Sequence, residues 1–268
     1  MRNVLITTAA LVLAAGTAFA EDTIVAQNGL AMTGEVSLDF AETANDNIGG
    51  TMNLDLGIDA GSLATVDLDL SATDGGSVTL DNWTIGTEVN GFALAFGDDN
   101  NLMPETDAIT GTTGTLAIPA MTESLMVGTG DISIAFGLTD WNSDITDLSN
   151  VQGAYTVGVD AADITISGDY NLDSENTVLG LAANGIDLGM IEAGSALTYD
   201  MDAEVFAYEG SLGTNGLTAY LNGTDGNRLQ NVGGEYTYNF AGAELTGGVN
   251  YNVDTEDMTP MASIAFAF

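Results

Sequence analysis

The sequence lacks several residue types on which enzyme active sites and metal centres depend. Its 268 residues include no Cys, no His and no Lys, and the only basic residues are Arg2 and Arg228. Without these residue types there are no disulfides or thiolate metal sites, and no Ser–His pair, thiolate nucleophile or Schiff base. We therefore expect no enzymatic activity and no cofactor. We also expect no nucleic-acid partner, because binding nucleic acid requires a basic surface.

A pair of carboxylates is the one catalytic device that this composition leaves open. Asp67 and Asp69 lie on the same side of a predicted strand, at a separation of about 7 Å for two strand rises. An acid pair of this kind is used by glycosidases. Two solvated charges on the wall of a sheet explain the same pattern, and we favour that interpretation.

Long hydrophobic runs are also absent after the N-terminus. Arg2, the apolar stretch Val4 to Ala15 and the A-x-A site at Ala18-Phe19-Ala20 have the pattern of a cleaved signal peptide over residues 1–20. Residues 21–268 contain no apolar run of about 18 residues, so no transmembrane helix is predicted. We expect an exported protein that, if it enters a membrane, crosses it with strands.

Acidic residues and alternating patterns are abundant. The chain has 39 Asp and Glu residues, a net charge of −37 and 45% hydrophobic residues, and this hydrophobic fraction argues against disorder. Apolar and polar residues alternate in many short runs, such as Leu30 to Phe40, Val151 to Val159 and Met258 to Phe268. Period-two alternation predicts strands whose two sides face different environments. We expect the last of these strands to close a barrel.

The runs predict an all-β chain, an antiparallel up-and-down transmembrane β-barrel over residues 21–268. Sixteen strands result if 185–197 and 203–211 form one strand each, and an even number places both ends of the chain on the periplasmic side. Short connections alternate with longer ones at 41–48, 98–122, 139–150 and 223–230. A slip in the alternation near Asp81-Asn82 predicts a β-bulge.

Acidic residues recur on the polar side of the predicted strands. In a barrel of this size the apolar side faces lipid and the polar side faces a water-filled lumen, because the interior is too wide for side chains to fill. The predicted lumen wall comprises Glu35, Asp39, Asp55, Asp67, Asp69, Asp131, Asp163, Glu235 and Glu244. Low-dielectric walls focus the negative potential of these carboxylates, so we expect a cation-selective pore.

With these features the sequence resembles the general porins of Gram-negative bacteria, and most of all the Rhodobacter-type porins of the alphaproteobacteria. The resemblance is carried by the signal peptide, the first strand M-T-G-E-V-S-L-D-F (Met32–Phe40), the strand rhythm, a long third loop and the closing A-S-I-A-F-A-F. It implies an outer-membrane homotrimer, in contact with lipopolysaccharide, through which small hydrophilic solutes and ions diffuse passively.

The resemblance also implies roles for two stretches of the chain. The third loop, residues 98–122, is expected to fold into the lumen as a constriction, with Asp98, Asp99, Glu105 and Asp107 near its narrowest point. Many porins carry Pro-Glu there, as Pro104-Glu105 does here, but the Phe-Gly-Gly that follows in the family and the basic lumen residues opposite the loop are absent. The barrel-assembly machinery is expected to recognise the closing strand through Ile264, Phe266 and Phe268.

Two alternatives stay open from the sequence. Calcium could bind hard oxygen ligands in Asp98-Asp99, Asp169 to Glu175 or Asp254 to Asp257, although no EF-hand loop or glycine–aspartate repeat is present. The chain could also be an exported surface-layer or structural protein. Its strands would then form a soluble β-sandwich or β-solenoid with the apolar side as the core.

The aromatic chain end generates a first prediction. Deleting Phe268 should reduce insertion into the outer membrane while export and signal cleavage proceed, because the closing strand loses its terminal aromatic residue. The measurement is the amount of processed protein in outer-membrane and periplasmic fractions. Phe268→Tyr keeps the ring and should insert normally. Normal insertion of the truncated chain would contradict the role given to Phe268.

Overall fold

The computed structural model of the chain describes the backbone of residues 24–26, 30–43, 47–61, 63–73, 77–98, 100–104, 114–119, 121, 123–139, 148–159 and 162–267. The predicted signal peptide (residues 1–20), Asp99, Glu105, Asp107 and Phe268 lie outside the described residues. Within the described ranges every regular element is a strand. No helix in those ranges is long and apolar enough to cross a membrane.

The described part of the chain forms seventeen strands. They are β1 (Ile24–Ala26), β2 (Leu30–Thr43), β3 (Asn47–Asp59), β4 (Thr65–Thr73), β5 (Val78–Val89), β6 (Phe92–Gly97), β7 (Ser124–Thr129), β8 (Ile132–Leu138), β9 (Leu148–Val159), β10 (Ala162–Asn171), β11 (Thr177–Asp187), β12 (Glu192–Asp200), β13 (Val205–Thr214), β14 (Leu217–Thr224), β15 (Asn231–Phe240), β16 (Ala243–Asn252) and β17 (Asp257–Ala267).

The strands from β2 to β17 form a closed ring of sixteen. Each pairs antiparallel with the next along the chain, and β17 returns to pair with β2, where Ile264 lies opposite Leu38 and Phe266 opposite Val36. The short β1 pairs with the first residues of β2. Full closure gives every barrel strand two neighbours and therefore removes sheet edges. The prediction of an all-β, sixteen-stranded, up-and-down barrel is confirmed.

Turn chemistry explains how successive strands reverse direction. At one end of the ring the connections are short, and Asn90-Gly91 and Asn215-Gly216 have positive φ at both of their residues. This is the type I′ geometry, whose twist matches that of paired strands. At the other end lie the longer connections, of which 98–123 and 139–147 are the longest. The predicted segregation of short and longer connections is therefore present.

Three features predicted from the alternation can be compared with the structure: a bulge, a loop and a strand. The predicted bulge is confirmed, because Asp69 pairs with Asn82 and Leu70 with Leu80, which leaves Asp81 as the extra residue. The predicted loop 41–48 is wrong, since β2 and β3 occupy most of it. The single strand predicted over 185–197 is also wrong, since residues 188–191 form a turn between β11 and β12.

The two sides of the barrel wall have the reverse of the polarity of a soluble sandwich. Ile166 and Leu179 point outward and are 58% and 48% exposed, whereas Ser167 and Asp169 point inward and are almost fully buried. Apolar side chains thus cover the outside of the ring, and polar side chains line the inside. An exposed apolar surface of this extent requires an apolar environment, which excludes the sandwich with an apolar core.

A charge on each side of one strand tests this assignment. Leu68→Arg on β4 should lower the free energy of unfolding in lipid vesicles by about 2–4 kcal/mol, because its side chain faces outward near the middle of the strand. Asp67→Arg is the matched control, because Asp67 faces inward and is exposed. It should cost much less. Equal losses at the two positions would contradict the assignment of the faces.

Candidate functional site in the barrel lumen

Five of the predicted wall acids form one acidic stripe on the inward side of β2, β3 and β4. We define it as Glu35, Asp39, Asp55, Asp67 and Asp69. Glu35 lies directly opposite Asp55, and Asp55 lies directly opposite Asp69. Like charges in directly opposed positions repel each other and destabilise a sheet. The stripe therefore gains stability from cations or water that screen the three opposed carboxylates.

Amide side chains stabilise two of these carboxylates by donating hydrogen bonds to them. Asn53 Nδ2 donates to Asp39 Oδ2 at 2.5 Å and to Ser37 Oγ at 3.2 Å, and Asn82 Nδ2 donates to Asp69 Oδ2 at 3.4 Å. No basic side chain lies on the described barrel strands, because Arg228 is exposed in the connection 225–230. The stripe thus has amide donors but no counter-charge on the wall.

The other predicted wall acids are distributed around the ring. Asp163, Glu235 and Glu244 occupy inward positions on β10, β15 and β16, as the alternation predicts. Asp131 does not belong to the wall, because it lies in the two-residue turn between β7 and β8. The alternation of Ile132 to Leu138 includes it only if the strand is extended by one residue into that turn.

Asp98 stays at the wall where the chain leaves β6. Its carboxylate accepts the backbone N–H of Trp83 at 2.5 Å, and its own N–H donates to Trp83 O at 3.0 Å. The three other acids predicted at a constriction, Asp99, Glu105 and Asp107, lie outside the described residues. Asp98 therefore extends the pairing of β5 and β6 by one residue and does not cross the lumen.

The segment between β6 and β7 is attached to the inner wall at two places. Its outgoing arm, residues 100–104, reaches β9 to β11. Leu102 N donates a hydrogen bond to Gln152 Oε1 at 2.7 Å. Met103 Sδ accepts a hydrogen bond from Ser167 Oγ at 3.8 Å. Pro104 is buried beside Gly180. These three wall positions face inward on consecutive strands, so the outgoing arm crosses three strands of the wall.

The returning arm, residues 114–119, is attached further round the ring, on β12 to β14. Ala117 N donates to Thr198 Oγ1 at 2.8 Å, and Thr115 N donates to Glu209 Oε1 at 2.7 Å. The Thr115 hydroxyl lies 3.2 Å from Tyr208 O and 3.3 Å from Gly223 O. The two arms are joined to each other, because Asn101 Nδ2 donates to Pro119 O at 3.2 Å.

Sequence reasoning did not identify the wall residues that hold these arms. Gln152, Thr198 and Glu209 sit at inward positions of ordinary strands, and their neighbours in sequence carry no motif. The only available signal is their parity, which they share with every other inward residue. Their partners lie 50, 81 and 94 positions away in the chain, so only the closed ring brings the pairs together.

A second polar network lines the wall from β14 to β16, and we call it the amide ladder. Asn222 Nδ2 donates to Tyr220 Oη at 2.9 Å, Asn231 Nδ2 to Asn222 Oδ1 at 3.0 Å, and Asn252 Nδ2 to Asn231 Oδ1 at 3.2 Å. Tyr220 packs against Met261 of β17. The ladder runs towards the end of the ring that carries the longer connections.

The calcium alternative stays untested. Among the described residues, no three Asp, Glu, His or Cys side chains are grouped as a metal ion would need. Two of the candidate acids already accept hydrogen bonds, Asp169 from Asn150 Nδ2 and Asp254 from Asn227 Nδ2, both at 2.6 Å. The pair Asp98-Asp99 lies partly outside the described residues, and calcium binding there stays a prediction.

The close approach at Gly180 generates a prediction about the outgoing arm. A methyl group at this position would lie 2.4 Å from Pro104 Cδ and 2.5 Å from Ser167 Oγ, so Gly180→Ala should displace Met103 and Pro104. We expect a loss of about 1–3 kcal/mol, the usual range for overpacking, in the free energy of unfolding in detergent. Gly213→Ala is the control, because its nearest neighbour would be Glu192 O at 4.0 Å. A loss as large for Gly213→Ala would show that the effect is not specific to the arm.

Comparison with known proteins places this fold among solved porins. No protein-family model matches the chain, and no curated protein matches it significantly in sequence. Its structure is similar to that of a Rhodopseudomonas blastica porin variant, with a TM-score of 0.63 and 12% identity over 89% of this chain and 100% of that one.

Two further solved structures are similar. Salmonella typhi OmpF has a TM-score of 0.64 and 10% identity over 91% of this chain and 99% of that one. Vibrio cholerae OmpT, an outer-membrane protein in its trimer form, has a TM-score of 0.53 and 9% identity over 89% of this chain and 99% of that one. The chain therefore has the fold of the porins, a closed antiparallel barrel of sixteen strands with its longest connection after the fifth strand of the ring.

Proposed function

We propose that the protein is a non-enzymatic outer-membrane porin through which small hydrophilic solutes and ions diffuse passively. The observation that carries the proposal is the reversed polarity of the closed ring, apolar outside and polar inside. Lipid would surround the apolar outside, since a closed barrel is one of the two structures that can span a membrane. Water would fill the polar inside, because carboxylates buried in a dry interior without partners would cost free energy.

The segment 98–123 is proposed as the constriction of this channel. Its support is the set of contacts by which the two arms reach six consecutive strands, β9 to β14: hydrogen bonds to five of them, and the packing of Pro104 against Gly180 on β11. A segment that leaves the wall at β6 and whose returning arm is held on β12 and β13 would narrow the lumen. This placement supports the expectation that the resemblance to porins implies.

Cation preference follows from the charge of the wall. The acidic stripe faces the lumen on β2 to β4, and the only base after the predicted signal peptide, Arg228, lies in a connection and not on the wall. Walls of low dielectric focus the field of the stripe into the water path. A row of carboxylates favours the entry of cations and opposes that of anions. The proposed solutes are therefore cations and small neutral hydrophilic molecules.

The surroundings of the protein are proposed on the same basis. An outward apolar surface fits outer-membrane lipid and lipopolysaccharide. The protein would reach this membrane after its signal peptide is cleaved and the barrel-assembly machinery inserts it. Self-association as a homotrimer is supported by the trimer form of the similar Vibrio cholerae OmpT. A surface-layer or structural role is disfavoured, because its soluble sheet would carry the apolar side chains inside.

The test is the reversal potential of the purified protein in a planar bilayer across a KCl gradient. We expect discrete channels that prefer potassium over chloride. The variant Glu35→Gln/Asp55→Asn/Asp69→Asn removes three opposed charges from the stripe and should move the reversal potential towards zero. The preference should be clear near 0.15 M salt, where the screening length is about 8 Å, and should fade near 1 M.

A matched variant separates the stripe from net charge. Asp173→Asn/Asp202→Asn/Asp225→Asn also removes three carboxylates, but from exposed connections at the end of the ring. It should leave the reversal potential close to that of the parent. An absence of channels would contradict the proposed porin function. A neutral or chloride-preferring channel would contradict only the electrostatic part.

A further inference from the structure

Glu209 is a carboxylate buried on the inner wall of the barrel. It is only 6% exposed, and it faces inward on β13. Its Oε1 accepts the backbone N–H of Thr115 at 2.7 Å, and its carboxylate is also hydrogen-bonded to the Tyr220 hydroxyl. Burying a charged group costs free energy unless hydrogen bonds replace its water. Here both replacements come from groups that donate, which is what a carboxylate requires.

The direction of the hydrogen bond between Tyr220 and Glu209 is determined by residues further along the amide ladder. The backbone N–H of Asn231, which can only donate, lies 3.1 Å from Asn222 Oδ1. This contact determines which end of the Asn222 amide is oxygen, so Asn222 Nδ2 must face Tyr220 Oη. Since Asn222 donates to the phenol oxygen, the single proton of the phenol is left for Glu209.

The same chain of hydrogen bonds continues to the turn between β16 and β17. Asn231 Oδ1 accepts from Asn252 Nδ2. Asn252 Oδ1 in turn accepts the N–H groups of Asp254 and Thr255, both at 3.0 Å. A continuous path thus runs from that turn through the amide ladder and Tyr220 to Glu209 and the returning arm.

The returning arm is shaped to reach Glu209. A methyl group at Gly114 would lie 2.9 Å from Glu209 Oε1, so the missing side chain lets the backbone approach the carboxylate. Charge-assisted hydrogen bonds to a backbone N–H are about twice as strong as neutral ones. The second wall contact of this arm, from Ala117 N to Thr198 Oγ1, is neutral.

We propose that Glu209 is the positioning residue that holds the returning arm, residues 114–119, against the inner wall and so keeps the pore at one width. The proposal rests on the proposed porin function, in which this segment is the constriction. Glu209 acts through Thr115, and the amide ladder orients the phenol that completes its hydrogen bonds. Glu209 is not one of the acids that the sequence predicts at the constriction.

Two pairs of variants test the contact from its two sides. Glu209→Ala removes the acceptor, whereas Glu209→Gln keeps an oxygen for the N–H of Thr115. On the segment, Thr115→Pro removes that N–H without changing a barrel strand, whereas Thr115→Val keeps it and loses only the hydroxyl. Asp163→Ala is the charge control, because it removes an inward carboxylate at the start of β10, away from both arms.

The readout is the reactivity of a cysteine in the returning arm. The chain contains no Cys, so Ile118→Cys, at a position 38% exposed, gives a single site for a bulky maleimide in detergent micelles. We expect faster labelling in Glu209→Ala and Thr115→Pro than in the parent. Glu209→Gln should label more slowly than Glu209→Ala, Thr115→Val more slowly than Thr115→Pro, and Asp163→Ala at the parental rate.

Single-channel records supply the second readout. In Glu209→Ala and Thr115→Pro each pore should fluctuate between several conductance levels, whereas each pore of the parent and of Asp163→Ala should keep one open level. Parental labelling rates in both Glu209→Ala and Thr115→Pro would overturn the proposal, and Thr115→Pro keeps it testable if Glu209→Ala does not fold. Labelling needs no conduction, so the predicted labelling pattern in a protein that forms no channel would contradict the porin function and leave the attachment at Glu209 supported.

Discussion

Closure of the strand ring is the constraint on which the rest of the structure depends. Backbone N–H and C=O groups in lipid must find partners within the protein, because the hydrocarbon offers none. The pairing of β17 with β2 supplies the last row of these partners. Once the ring is closed, the alternation of side chains assigns each residue to the lipid side or to the lumen. The two faces, the lumen and the attachment of the long segment all follow from that one pairing.

Closure also concentrates charge. Glu35, Asp55 and Asp69 belong to three strands that are consecutive in sequence, and antiparallel register sets them side by side. The sheet accepts this repulsion only because one side of it is wet, where water and mobile cations lower the interaction between the carboxylates. On the other half of the ring the inner wall carries amides, hydroxyls and the two arms of the long segment. The lumen is therefore asymmetric, with directly opposed carboxylates on one side and, on the other, separate carboxylates such as Asp169 and Glu209 that are held in hydrogen-bonded networks.

The local part of this structure was predictable and the non-local part was not. Alternation identified the strands, the inward parity of Asp163 and Glu235, and the bulge at Asp81, because each depends only on neighbouring residues. The region around Gly185 was misread, since the register shifts between Ala183 and Ile186 and the following turn contains Leu188, Met190 and Ile191 instead of polar residues. The partners of Gln152, Thr198 and Glu209 depend on the path of a segment through space, and no local pattern records that path.

Met261 gives the closing strand, β17, a second structural role. It lies on β17 and points inward, where it packs against Tyr220 of β14. Gly233 lies opposite Tyr220 and Gly248 lies opposite Met261, so two inward positions between the large side chains carry no side chain. The strand whose outward Ile264 and Phe266 join the barrel at the seam with β2 thereby also contributes to the cross-section of the lumen. The same eleven residues therefore set both the seam that closes the ring and part of the width that the ring encloses.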